Sequence, residues 1–411
     1  MFRTAERVVD LLYVQVGTFW SPYDYMPVRL VDNTSWSAQL PKAEAYIAVW
    51  RNTSSLTPGI DLVPALLAKY QEVKQQAAKA GQRLVGLQID HDCPTYSLTE
   101  YARFLQGLRA ALPPEDLLSI TALLDWFRPD TRIADVLRRV NEYVPQFYDV
   151  DSTWIGVDPT LIAKAIDSST WAPLFNSYGR PYRIGIATFG RIVRIKPQLS
   201  HQWEAAHFRY LSPLELAGRQ ELTRVAELRN EAGETVVRYE VKRELKIAGY
   251  SLSLSPGDLI EMVLPSQESV HSAYTAAKAF GGLCAGVVFF RWPGAYEALV
   301  LLPDEIQDII SGKKLASRST RLEVEQGQCA VVGCANLYMR LGDRFSSQPV
   351  TLWLHSSSEL EYVLPAERLS TKIQRPRIME IRIPPYTGVP RLYVGRVVTR
   401  ERAQFTLESK P

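Results

Sequence analysis

Apolar residues follow two alternating rhythms from the N-terminus to about residue 312. Short runs rich in Val, Ile, Leu and aromatic residues give way to longer stretches with apolar positions at helical spacing, the contrast that separates strands from amphipathic helices. Eight runs read as strands: "LLYVQVGTFW" (11–20), "EAYIAVWRN" (44–52), "RLVGLQIDHD" (83–92), "LLSITALLDW" (117–126), "EYVPQFYDV" (142–150), "YRIGIATFG" (182–190), "DLIEMVLPS" (258–266) and "LCAGVVFFRWP" (283–293). Several are nearly continuous apolar runs, as parallel strands covered on both faces require. Between them, "IDLVPALLAKYQEVKQQAAKAG" is built from helix formers and stops at Gly81, a suitable C-cap. "SLTEYARFLQGLRAALP" opens with the capping-box pattern Ser97-x-x-Glu100, and "TRIADVLRRVNEY" and "QESVHSAYTAAKAFGG" continue the helical period. This alternation predicts an α/β fold of the (β/α)8 TIM-barrel type over residues 1–312. A doubly wound open sheet is the alternative, but no glycine-rich phosphate turn follows the first strand.

Two segments depart from the alternation. Residues 196–257, between the sixth and seventh predicted strands, are too long for a simple crossover. Their "TRVAELRNEAGETVVRYEVKRE" reads as a hairpin around Glu231-Ala-Gly233, and so as a β-rich insertion over one rim. After the polar linker "SGKKLASRST", residues 321–411 carry "TRLEVEQG", "PVTLWLH", "IMEIRIP", "RLYVGRVV" and "AQFTLES", which predict an antiparallel β-sandwich accessory domain. Trp353, between Leu352 and Leu354, reads as part of that sandwich's core.

Composition removes several function classes. Hydrophobic residues are 46% and charged residues 22%, an ordinary globular balance. Lys plus Arg number 47 against 44 Asp plus Glu, with no basic cluster, so nucleic acid is not an expected partner. The longest apolar stretch, "LCAGVVFF", is too short to span a membrane. Four cysteines do not make a disulfide scaffold; Cys329 and Cys334 could pair only if Gly333 makes a turn. The five histidines, His91, His201, His207, His271 and His355, form no ligand cluster, so no metal is expected. No lysine occupies a strand tip and neither a Gly-x-Ser-x-Gly elbow nor a P-loop occurs, so no cofactor is expected either.

In a barrel of this type, chemistry sits at the C-terminal strand ends. Those ends offer Trp20, Trp50 with Arg51, Asp90 with Asp92, Asp125 with Trp126, Tyr148 with Asp149, Arg191, and Arg291 with Trp292. Carboxylates interleaved with large aromatics suit carbohydrate. A sugar ring stacks its C–H face on an indole or phenol, its hydroxyls need charged partners, and glycosidic cleavage needs a carboxylic acid with a second group beside it. Asp90 and Asp92 share one face of their strand by period 2, while His91 points the other way, toward the helical layer. Two neighbouring carboxylates raise one pKa, which keeps a proton donor available near neutrality. The structural alternative has one Asp capping the next helix and the other paired with Arg51 or Arg291. The aromatics then pack the rim, Asp125 and Asp149 bind backbone N–H groups, and Glu261 is inward-facing and paired.

Two resemblances follow from these residues. The stretches "GLQIDHDCPTYSLTEYARFLQGLRAALP…LSITALLDWF", "VPQFYDV" and "YRIGIATFGR" resemble a bacterial barrel domain family of unknown function, over most of residues 10–300. More distantly, the chain resembles the chitinase-like glycoside hydrolases of family eighteen. Their Asp-x-x-Asp-x-Asp-x-Glu strand corresponds to Val85, Gln88, Asp90 and Asp92, and their Met-x-Tyr-Asp strand to Gln146-Phe147-Tyr148-Asp149. Their Gly-x-Pro-x-Tyr-Gly-Arg strand is similar to "GIATFGR", and their last strand, ending in Trp, to "GVVFFRWP" with Trp292. Two of the four acid positions therefore hold Val85 and Gln88, and the acid would be Asp92, one methylene shorter than Glu.

The resemblance implies a glycoside hydrolase acting on a polysaccharide or oligosaccharide. In that reading Asp92 is the general acid/base, Asp90 its electrostatic partner, Tyr148 and Asp149 position the substrate, and Trp20, Trp50, Trp126 and Trp292 form a stacking floor with Arg51, Asp125 and Arg291 around it. A non-catalytic glycan-binding barrel is the alternative. A carbohydrate partner favours a periplasmic or secreted location, with the signal segment absent from the sequence at hand.

Overall fold

The computed structural model of the chain describes residues 9–20, 29–32, 36, 40–52, 61–148, 163–197, 216, 219–230, 232–246, 253–292, 299–312, 320–327, 329, 331–341, 345–346, 349–367, 369–384, 386–387 and 391–408. The side chains of Trp20 and Arg29 and those of residues 345–346 and 386–387 are not among the described parts.

The N-terminal part is a mixed α/β structure around one curled eight-stranded sheet. Its strands are β1 (Val9–Trp20), β2 (Arg29–Asp32), β3 (Ala43–Asn52), β4 (Leu84–His91), β5 (Leu117–Leu123), β6 (Glu142–Gln146), β7 (Tyr182–Ala187) and, much later in the chain, β14 (Cys284–Phe290). The order is β14-β7-β6-β5-β4-β3-β1-β2. Seven strands run parallel, and β2 hairpins back antiparallel onto β1. Among the described residues no pairing joins β14 to β1.

Helices α1 (Val63–Lys79), α2 (Leu98–Ala111), α3 (Ile133–Leu137) and α4 (Ser168–Ser177) connect these strands. They cover the outer face with Leu66, Tyr70 and Ala77 of α1, Leu98, Tyr101, Leu105 and Leu108 of α2, and Phe175 of α4, all at or near full burial. The apolar spacing at i, i+3/i+4 that predicts these helices is the stripe they bury. Gly81 closes α1 in the left-handed conformation, φ 69°, as expected of a C-cap glycine. Ser97, by contrast, does not cap α2. A 3-10 turn over Thr95–Ser97 precedes the helix and Ser97 takes helical angles, so its hydroxyl bonds no backbone N–H there.

The seventh predicted strand is a correction. Residues 258–266 do form a strand, β13 (Leu259–Leu264), but it lies outside the curled sheet. It pairs antiparallel with β8 (Arg191–Ile195) and β10 (Thr235–Val241), and β10 pairs with β9 (Leu222–Arg229), in the order β8-β13-β10-β9. The β9–β10 hairpin turns where Asn230 accepts from the amides of Ala232 and Glu234, with Gly233 at φ 76°. A two-stranded ribbon of β11 (Leu245–Lys246) and β12 (Ser253–Leu254) completes the inserted element. The apolar run of β13 is covered on both faces, so its pattern is that of a buried parallel strand although its neighbours are antiparallel. Glu261 is buried and paired as expected, on Arg238 at 2.5 Å, but within this inserted sheet. Arg194 and Asp258 form a second buried pair at 2.8 Å.

The chain then returns through α5 (Gln267–Lys278), capped by Ser266, into β14 and on to α6 (Pro303–Ile310). Beyond the linker, two four-stranded antiparallel sheets face one another. One is β15 (Arg321–Gln326), β16 (Cys334–Arg340), β23 (Leu392–Thr399) and β19 (Leu360–Pro365). The other is β20 (Ser370–Arg375), β21 (Ile378–Ile383), β18 (Val350–Ser356) and β24 (Phe405–Glu408). Leu337, Met339, Leu354, Met379, Ile381 and Val397 form the core between them, and β17 (Phe345–Ser346) pairs with β22 (Tyr386–Thr387) beside them. Trp353 is the exception to its core reading: half-buried, it alternates away from the face on which Leu352 and Leu354 pack. Cys329 and Cys334 are disulfide-bonded, and Gly333 takes the close turn this needs, its amide segment running against Thr399. No helix among the described residues is long and apolar enough to cross a membrane.

His91 tests the outer layer. It is buried against the Tyr101 ring, 4.9 Å between centroids, and burial lowers its pKa to about 4. A histidine kept neutral by burial contributes stability above its ordinary value of 6.5 that is lost as pH falls toward 4, on the order of 3 kcal/mol in all. Thermal unfolding from pH 8 to 4 should therefore show an acid-side loss that His91→Phe removes. An unchanged pH profile in the variant would place the titration elsewhere.

Candidate active site

The inner face of the curled sheet is polar, which is unusual for the interior of a strand barrel. Side chains alternate, so β4 turns Leu87 and Ile89 outward to the helices and Gln88 and Asp90 inward. Three layers of polar groups result. At the lower level Glu142 accepts from Tyr13 Oη at 2.6 Å and from Arg183 Nε at 3.1 Å. In the middle Gln88 Nε2 donates to Ser119 Oγ at 2.9 Å. At the upper level Asp90 Oδ1 accepts from Thr121 Oγ1 at 2.8 Å and from Gln146 Nε2 at 3.5 Å, while Arg51 lies 4.0 Å from Oδ2. Each of these polar groups has a partner on another strand, next to it or across the inner face, as a low-dielectric interior demands.

The side chains of these layers line a cavity of about 750 Å³ that runs along the inner face, from Val9–Leu12 at the start of β1 to Arg291 and Trp292 past the end of β14. Asp92 stands exposed at its mouth, just past the end of β4, and Arg51, Asp90, Gln146, Tyr148, Arg291 and Trp292 line it. Tyr148 is buried flat against Phe290, 4.9 Å between centroids and 7° between planes. Gly185 on β7 gives the Tyr148 ring its room: a methyl there would lie 3.1 Å from ring atom Cε1. Burial, followed by the charges of Asp90 and Asp92, pushes the Tyr148 hydroxyl well above the usual tyrosine range, so it stays a proton-bearing donor. Burial also raises the Asp90 carboxyl above 3.8, despite the lowering effects of Thr121, Arg51 and Gln146. Phe189, Phe290 and Tyr148 join Val236 and Val263 of the inserted sheet in one apolar cluster, which seats that sheet at the mouth.

The expected site residues divide. Asp90, Asp92, Arg51, Tyr148, Arg291 and Trp292 converge on the cavity. Trp50 and Trp126 do not, and this corrects their reading as a stacking floor. Trp50 is 1% exposed, packed against Tyr70 of α1, and Gly17 admits it: a methyl at Gly17 would come 2.6 Å from its Nε1. Trp126 is also 1% exposed and donates Nε1–H to the Cys93 carbonyl at 2.9 Å, on the helical side. Asp125 is exposed in the 3-10 turn Leu124–Phe127 and does not line the cavity. Trp20 ends β1, its side chain outside the described parts, and Asp149 lies outside the described residues altogether. Gln88, Thr121, Gln146, Tyr13, Glu142 and Arg183 were not expected. The signal for Gln88 and Gln146 was a polar residue at an inward position of an otherwise apolar run; the others pair across strands far apart in sequence.

The chain belongs to a family described as a domain of unknown function (DUF3142), whose profile matches residues 43–249, just over half of the sequence. No curated protein matches it. Among solved structures it is similar to a chitinase from Bacillus thuringiensis, at 10% identity, TM-score 0.39, covering 88% of this chain and 80% of that one. It is also similar to a chitinase from Chromobacterium violaceum, at 13% identity, TM-score 0.41, covering 74% and 90%. A third is the spore cortex-lytic enzyme of Bacillus cereus, at 16% identity, TM-score 0.37, covering 64% of this chain and 59% of that enzyme's length.

A raised carboxyl binds its proton more tightly folded than unfolded. Its contribution is thus present at low pH and is lost as pH rises from 3.8 through the folded value. Asp90→Asn should gain thermal stability relative to the parent protein as pH rises from 4 to 8. A constant difference across that range would show that Asp90 ionises as an ordinary surface aspartate does.

Proposed function

We propose that the chain is a glycoside hydrolase that cleaves a polysaccharide or oligosaccharide by carboxylate acid/base catalysis at the mouth of the curled sheet. The observation that carries this is Asp90 and Asp92 on one face at the tip of β4, one half-buried and one exposed, over a cavity with Tyr148 and Trp292 in its lining. In this reading the sheet is a TIM-type barrel relative, residues 1–312 are the glycosidase-like unit with the insertion within it, and residues 321–411 are an accessory domain.

Asp92 would give its proton to the glycosidic oxygen as the C–O bond breaks toward that oxygen. Water would then add to the anomeric carbon and return a proton to Asp92. Asp90, held by Thr121 and Gln146, would act on Asp92 through its charge: burial favours the protonated form of Asp90, and whichever carboxyl is ionised disfavours ionisation of the other. Tyr148 would donate to the substrate from a fixed ring, Trp292 would stack on the sugar, and Arg51 would hold Asp90 in place. Asp149 keeps its proposed positioning role on sequence grounds. The Cys329–Cys334 disulfide supports an oxidising, extracytoplasmic location, in keeping with a polysaccharide substrate.

A non-catalytic glycan-binding protein is the second reading. It is favoured by Gln88, which stands in an acid's place and is hydrogen-bonded to Ser119 rather than to a proton relay. Reducing-end release from a polysaccharide panel separates the two. The parent protein should release ends, and Asp92→Asn should lower the rate by about a hundredfold or more, the scale of a lost general acid. Release unaffected by Asp92→Asn would refute the acid assignment, and retention of a polymer by both proteins without release would favour the binding reading.

A further inference from the structure

The outer face of one sandwich sheet carries aromatic rings that its core does not use. Leu337, Met339, Val363, Val394 and Val397 turn into the sandwich. By alternation Tyr338 of β16, Arg396 of β23, and Tyr362 and Leu364 of β19 turn away from it. Under strict alternation Tyr393 would face inward with Val397. A register shift opposite Leu337 and Tyr338 puts one extra residue into β23 and sets Tyr393 directly across from Tyr338, on the outer side. Gly395 permits that bulge: its φ is 143°, and a methyl group there would lie 2.3 Å from the Leu364 carbonyl oxygen. Three adjacent strands, β16, β23 and β19, thus each turn one tyrosine outward.

Two of these rings are open to solvent. Tyr362 is 58% and Tyr393 37% exposed, and Leu364, two residues from Tyr362, is 51% exposed. Tyr338 is half-buried because its neighbours hold the ring: Tyr393 lies 5.1 Å away between centroids, and the Arg391 guanidinium carbon sits 3.7 Å from the ring centroid. Arg391 is fixed in turn on Glu323 at 2.7 Å and on Glu325, and Arg340 also pairs with Glu323. On the same face Asn336 Oδ1 accepts from Arg396 Nε at 3.0 Å and from Tyr393 Oη at 3.5 Å.

This mixture selects a ligand. The centre of a protein interface is depleted of charged residues, whereas here ion pairs and an amide stand among the rings. A sugar chain needs both parts: its C–H faces lie on phenol rings, and its hydroxyls bond to amide and guanidinium groups that keep spare donors. Glu323 and Glu325 are already taken up by Arg340 and Arg391, so the charges of the face largely answer one another. An uncharged chain complements such a face.

We propose that the outer face of this sheet binds an uncharged polysaccharide, stacked on Tyr362 and Tyr393 and hydrogen-bonded by Asn336 and Arg396. The proposal rests on the reading of the chain as a carbohydrate-active protein and adds a second site to it, outside the cavity.

The test is affinity electrophoresis of the full chain in gels containing glycol chitin, hydroxyethyl cellulose or galactomannan, with polygalacturonate as the charged comparison and reducing-end release followed on the same polymers. At least one uncharged polymer should retain the parent protein, and added salt should not weaken that retention. Tyr362→Ala and Tyr393→Ala should each weaken it about three- to tenfold, the scale of one aromatic contact, and Tyr362→Trp should keep it. Ile373→Ser, at an exposed site on the other sheet, should leave it unchanged. Should Tyr393→Ala fail to fold, Tyr362→Ala decides, since more than half of that side chain is in solvent. Retention that both Ala variants preserve, retention by polygalacturonate alone, or a parent dimer in gel filtration that Tyr362→Ala dissociates would overturn the proposal. Retention lost in the Ala variants, with no end release by the parent, would refute hydrolysis and leave this surface standing. End release by a parent whose retention neither Ala variant alters would do the reverse.

Discussion

Burial of one carboxyl group sets the terms for the rest of this structure. Asp90 sits inside the curled sheet, where an isolated carboxylate would carry a large desolvation cost. Its neighbours answer that cost: Thr121 from β5 and Arg51 from β3 on the adjacent strands, and Gln146 from β6, one strand further on. The β4–β5 register that brings Gln88 to Ser119 is the same register that brings Thr121 to Asp90. A one-residue slip in any of these strands would exchange the polar and apolar faces, so the polar layers and the helix-facing core enforce one another.

The mouth depends on a second constraint, the way the inserted sheet leaves and re-enters the fold. It departs after β7, runs through β8 to β13, and the chain returns through α5 to β14, which pairs directly with β7. The insertion therefore stands between two strands that are neighbours in the sheet. Its apolar face, Val236 and Val263, meets Phe189, Phe290 and Tyr148, and so fixes both the tyrosine at the mouth and the Phe189 ring on which Arg191 and Arg291 lie.

Much of this was legible in the sequence where the physics is local. Alternation in "GLQIDHD" put Asp90 and Asp92 on one face and His91 on the other, and His91 is indeed against Tyr101 on the helical side. Six parallel strands before the insertion, its hairpin around Gly233, and the C-terminal antiparallel strands followed from period and punctuation. What was not legible depends on distant partners. A doubly covered antiparallel strand and a parallel one share a single apolar pattern, so β13 could not be assigned to its sheet by period. Trp50 and Trp126 looked like rim aromatics because nothing local reveals the space beside Gly17 or the Cys93 carbonyl that receive them. The Ser97 capping pattern was overridden by a 3-10 turn that begins two residues earlier. Arg191 and Arg291 are one hundred positions apart and come to the same Phe189 ring, where β14 lies next to β7.

The most direct test is the ionisation of Asp90 itself. Carboxyl carbon resonances of the aspartate-labelled protein, titrated with acid and assigned by the signal missing in Asp90→Asn, would report it. An apparent pKa above 3.8 is expected, because burial outweighs the help of Thr121, Arg51 and Gln146. A value at or below 3.8 would contradict it, and would mean that the inner face stabilises a permanent carboxylate in place of a carboxyl whose protonated form burial favours.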